Sequence, residues 1–142
     1  KNKHELFYHC IDQTTDAFIK KTQLIILKPT ASIEKKLYEL ILVHIQFIQE
    51  HHEFMSYMHQ KSQDDKKITE LIHKKRNKVA SITEILSKEI IEKKQIHDII
   101  TPKDITHAIM GLTKGMLCEQ HPEKNTCSPK DTALKITTII LS

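Results

Sequence analysis

A chain of 142 residues, 39% hydrophobic and 28% charged, has the size and composition of one domain with a substantial core and is too apolar to be disordered. Two glycines and four prolines are too few for the turns of an all-β sandwich. The net charge of +4 comes from interleaved Lys and Glu, which describes a mixed, solvated surface.

The chain opens on a helix signal. Asn2 can cap an early N–H, and Glu5 sits where the helix dipole favours an anion. Leu6, Phe7, Cys10 and Ile11 follow as an apolar face. Pro29 stops this element, so a connecting helix is predicted over 1–28. A second helix is predicted over 32–60, behind Ser32. One of its stripes runs Leu37, Ile41, His44, Ile48, His51, Met55, Met58, and another runs Leu40, Val43, Phe47, Phe54, Tyr57. A helix apolar on so many sides is wrapped by neighbours, which makes it the predicted centre.

Ser62 with Asp65 restarts the chain, and a long helix is predicted over 62–95. It carries the densest basic run, His73-Lys74-Lys75-Arg76-Asn77-Lys78, with no aromatic residue interleaved to stack on bases. That run reads as a helix surface. Thr101-Pro102-Lys103-Asp104 starts a helix over 101–121, which His121-Pro122 ends. Ser128-Pro129-Lys130-Asp131 starts the last helix, 128–142. The β-branched stretches Leu24-Ile25-Ile26-Leu27 and Ile136-Thr137-Thr138-Ile139-Ile140-Leu141 have strand propensity but no strand partner, so both are predicted helical.

In the 101–121 helix, Ala108, Gly111, Gly115 and Cys118 form a strip of small residues beside a strip of large ones, Ile105, Ile109, Leu112 and Met116. Each helical glycine costs about 1 kcal/mol relative to Ala, and close approach of another helix is the natural compensation. Ala133, Ile136 and Ile140 of the last helix offer a matching face. Two such helices from each of two chains predict a symmetric four-helix interface in a homodimer; packing within one chain is the plainer alternative. The expected fold class is therefore all-α: a helical bundle around a central helix, its last two helices forming the dimeric interface.

The chemistry-bearing residues point away from catalysis. GxSxG, HExxH and a phosphate-cradling glycine loop are all absent, so the chain is read as no enzyme. Ten histidines suggest metal, yet no two stand at i,i+3 or i,i+4; His44 and His51 are roughly 10.5 Å apart along a helix. No metal and no cofactor is expected. Cys10, Cys118 and Cys127 lack CxxC spacing and read as free thiols of a cytoplasmic protein. No run of 18 apolar residues exists to span a membrane.

The opening KNKHELFYHCID resembles the junction after the recognition helix in TetR-family transcriptional repressors, the match lying on Lys1, Asn2, Lys3, Glu5, Leu6 and Phe7. The order of helices also resembles that family's ligand-binding and dimerisation domain over nearly the whole chain. The resemblance implies a DNA-binding head before Lys1, and contact with DNA only through that head. It implies a small, largely apolar effector in a pocket among the first four helices, whose binding favours one tilt of the first helix. His44 and His51 are then either satisfied core histidines or polar anchors of that pocket, among Phe18, Ile48, Met55 and Met58. Ile82, Leu86, Ile109 and Met116 are the candidates to close it. A helical protein-interaction module and a His-rich metal-sensing protein remain the alternatives.

Overall fold

Short polar side chains cover the first free N–H groups of every described helix but α3, and this sets where those helices begin. In the computed structural model, which describes residues 2–96, 98–119 and 128–142, six helices form: α1 Lys3–Ile26, α2 Ile33–Glu50, α3 His52–Ser62, α4 Lys66–Lys94, α5 Pro102–Glu119 and α6 Pro129–Leu141. Asn2 Oδ1 accepts from Glu5 N at 2.8 Å, and Ser32 Oγ from Lys35 N at 3.2 Å. Asp65 accepts from Lys67 N and Ile68 N, and Ser128 from Asp131 N. At α5 the exchange is reciprocal: Asp104 N donates to Thr101 Oγ1 at 3.2 Å while Thr101 N donates to Asp104 Oδ2 at 2.9 Å. Those bonds, led by the backbone one, hold the Asp104 carboxyl below the usual aspartate range. Both β-branched stretches are helical, Leu24–Ile26 closing α1 and 136–141 lying in α6. The predicted helix end at His121-Pro122 lies outside the described residues.

Two boundaries differ from the sequence reading. The helix predicted over 32–60 breaks at His51, whose φ of −115° and ψ of 23° take the chain out of helical geometry. His51 and His52 are both weak helix formers, so the local cost of a break there is small. The gain is a second core. Turned away from α2, α3 lays Phe54 and Met58 beside Phe7, over buried Ile11, Ile68 and Leu71. The helix predicted from Ser62 starts instead at Lys66. The Ser62 hydroxyl donates back to His59 O at 2.8 Å, finishing α3, and leaves the next start to Asp65.

The main core forms around α2, where Leu37, Leu40, Ile41 and Ile45 are fully buried. Phe18 and Ile19 of α1, Ile82, Leu86 and Ile90 of α4, Ile105 and Ile109 of α5, and Ala133 and Ile136 of α6 pack around them. At about 25 cal/mol per Å² of apolar area, each such large side chain contributes roughly 1.5–3 kcal/mol. A buried hydroxyl pair joins α4 to α5, Ser87 Oγ lying 2.8 Å from Thr106 Oγ1.

Ion pairs set the relative direction of the helices. Lys75 of α4 reaches Asp12 at 2.6 Å and Asp16 at 2.5 Å, and His4 meets Asp65, so α1 and α4 run parallel. Lys36 pairs with Glu89 at 3.2 Å and Glu34 with Lys94 at 3.9 Å, so α2 runs antiparallel to α4. Lys36 is the one nearly buried charge in this set, and only its Glu89 partner makes that burial tolerable.

Candidate functional site

Where two antiparallel helices diverge at a break, a cleft can open between them. A hollow of about 200 Å³ lies between α1 and α2, beside the break at His51. Its apolar wall is Ala17 and Phe18 from α1 with Val43 and Phe47 from α2. Its polar rim is Thr14 and Lys21 from α1 with Gln46, Glu50 and His51 from α2 and its end. A larger hollow of about 450 Å³ lies between the start of α1 and the first turns of α4. It is lined by His4, Glu5, Lys67, Glu70 and Lys74 around only Tyr8 and Leu71. Ligand sites are mostly apolar with a few placed polar groups, so the smaller cleft is the better candidate despite its size.

The cleft belongs to a continuous series of rings. His44 lies edge-on to Phe18 with centroids 4.8 Å apart, Phe18 to Phe47 is 4.5 Å, and Phe47 to His51 is 4.7 Å. From His51 the series passes to Phe54 at 6.5 Å, on to Phe7 at 5.7 Å and to Tyr57 at 4.8 Å. These separations suit offset or edge-to-face aromatic contacts. The series contains all four phenylalanines of the chain and connects the cleft wall to the first turns of α1.

His44 sits behind the cleft rather than in its wall. Burial, partly offset by the Leu40 carbonyl, pulls its pKa below the ordinary histidine value. The ring is therefore neutral at pH 7. Its Nδ1 lies 3.1 Å from Leu40 O and donates to it, which leaves Nε2 as an acceptor.

The ten predicted pocket residues do not converge. Phe18 and His51 line the cleft, and His44 touches Phe18. Ile82, Leu86 and Ile109 are sealed in the main core, and Met116 packs on its edge; none of the four borders the cleft. Met58 belongs to the second core, while Ile48 and Met55 are half-buried elsewhere on α2 and α3. Thr14, Ala17, Lys21, Val43, Gln46, Phe47 and Glu50 were missed as lining residues. Phe47 and Val43 stood in the other apolar stripe of the same helix. Ala17, the other wall residue on α1 beside Phe18, carries no local signal beyond its helical spacing.

The predicted interface residues divide as well. Gly111 and Gly115 are exposed, and a Cβ built on either would meet nothing within 4 Å. Packing within this chain therefore does not account for the two glycines. Ala108 beside them is half-buried, and the side chain of Cys118 lies outside the described residues. Ala133 and Ile136 are a correction: both are fully buried against α2 and its neighbours, because α6 turns its small and branched residues inward. Ile140 packs partly against the same core. The outward apolar residues of α6 are Leu134 and Ile139, more than half exposed.

Among the described residues no cluster of three His, Cys, Asp or Glu is placed to hold a metal, and Cys10 is a free, exposed thiol. No described helix is long and apolar enough to cross a membrane.

A transcriptional regulator of the TetR/AcrR family from Thermobifida fusca YX-ER1, known from its crystal structure, superposes on 100% of this chain and 74% of its own. The TM-score is 0.77. This chain has the TetR/AcrR fold. The sequences are 16% identical, so the likeness is one of fold. No family model and no curated protein matches the sequence.

Proposed function

We propose that this chain is the regulatory domain of a TetR-like transcriptional repressor, non-catalytic and dimeric, in which a small effector bound between α1 and α2 changes the tilt of α1. The carrying observation is that α1 is itself a wall of the cleft, so an occupant acts directly on that helix. A DNA-reading head joined ahead of α1 would then feel the change as an altered spacing between its two copies. The ring series from Phe18 to Phe7 supports the reading, since it joins the cleft to the opening turns of the same helix. The exposed strip of Gly111 and Gly115 supports self-association through the outer face of α5.

The test has two parts. Thermal unfolding of the chain against small aromatic and aliphatic compounds identifies a binder, which raises Tm by mass action. Val43→Phe, which fills the cleft, is expected to abolish that rise. In a protein carrying the head, the same binder is expected to change operator affinity. An operator affinity unmoved by every cleft ligand would refute the reading.

A further inference from the structure

We infer that the α1–α2 cleft takes a small planar aromatic carboxylate, one ring or two fused rings in size; this rests on the effector reading above. The size follows from the volume, about 200 Å³, which falls below the roughly 300–1,000 Å³ of sites for drug-sized molecules. The ring follows from the wall. Phe18 and Phe47 are tilted by 35° to one another and His51 lies 4.7 Å from Phe47 at 49°, so a flat guest finds aromatic rings from both helices to pack against.

The charge follows from the rim. Lys21 and Glu50 stand on opposite helices at the mouth. Glu50 already faces the His51 ring, with Oε2 4.0 Å from Nε2. Lys21 pairs with no carboxylate among the described residues, whereas Lys28, Lys36, Lys75 and Lys94 do. An arriving carboxylate therefore finds a cation with no carboxylate partner to displace, whereas the rim's anion, Glu50, already has the His51 ring beside it. The acceptor Nε2 of His44 lies behind Phe18 and takes no part.

The chain contains no tryptophan, so an indole probe fluoresces without protein background. Indole-3-acetate, the neutral indole-3-acetamide and the cationic tryptamine share a ring and differ in charge. Titrated against the chain by fluorescence anisotropy, the acetate is expected to bind about tenfold or more tighter than the other two, as suits one charge-assisted hydrogen bond. Lys21→Gln should erase that preference and leave ring binding intact. Circular dichroism checks that this exposed substitution leaves the fold unchanged. Equal affinity for all three probes, or preference for tryptamine, overturns the carboxylate inference while the cleft reading stands. Binding of the acetate that survives Val43→Phe puts the site elsewhere and overturns both.

Discussion

Gly111→Ala with Gly115→Ala is expected to make the isolated chain more stable, and this outcome depends on how α5 is packed. Neither glycine has a positive φ, and an added Cβ at either position meets no atom within 4 Å. The only change is then the entropy that glycine loses in a helix, about 0.8–1.0 kcal/mol per position relative to Ala. Two positions contribute roughly 2 kcal/mol. Unfolding entropy near 2.1 cal/mol/K per residue gives about 0.3 kcal/mol/K for this length, so Tm should rise by roughly 6–7 °C. Circular dichroism melts over a dilution series, with sedimentation velocity reporting the species present, measure this in the monomer. Leucines at the same two positions should leave the monomer folded but block the approach of a second helix, so self-association should weaken sharply. A double-alanine variant that melts no higher as monomer would refute the open environment assigned to the strip. Leucine variants that associate like the parent would refute the interface.

Three further outcomes follow from other parts of the fold. Leu40→Ala, at a fully buried site on α2, should cost about 2–5 kcal/mol in urea unfolding, whereas Leu134→Ala on exposed α6 surface should stay within about 0.5 kcal/mol. The tie between α1 and α4 should fail at both pH extremes. The hydrogen bond from Lys75 holds Asp16 below the ordinary aspartate value, so its contribution is complete above that value and is lost as pH falls through the lowered one. Burial pulls the Lys75 ammonium down, but Asp12 and Asp16 more than reverse this. Its contribution is therefore complete below the ordinary lysine value and is lost as pH rises through the higher folded one. Asp16→Asn should flatten the acid limb of the urea midpoint, and parallel profiles for variant and parent would contradict the pairing. Ser87→Ala should cost only about 1 kcal/mol, because Thr106 keeps the Pro102 carbonyl as acceptor at 3.0 Å; a loss of several kcal/mol would mean that the pair is not satisfied as described.

Much of the helical framework was legible locally. Asn2, Ser32, Thr101 and Ser128 each act within three residues of the N–H they cover, so reading them needs no tertiary knowledge. The centrality of α2 was legible too, since Leu37, Leu40, Ile41 and Ile45 leave few directions for solvent. The break at His51 was not. Apolar spacing runs smoothly through residues 48–58, and nothing local says that Phe54 and Met58 belong to a different core from Ile41 and Ile45. The cleft was only half legible for the same reason, because its wall combines faces of α1 and α2 that are brought together by packing.

By itself, then, the sequence determined an all-helical chain, the caps of its helices and a dominant apolar helix, because hydrogen bonds three residues long and a 3.6-residue period are local properties. Tertiary structure alone decided that α1 and α4 run parallel through Lys75, that Ala133 and Ile136 face inward, and that Gly111 and Gly115 face outward. Periodicity places a stripe on a helix, but which neighbour, if any, covers that stripe depends on the free energy of the whole packed arrangement.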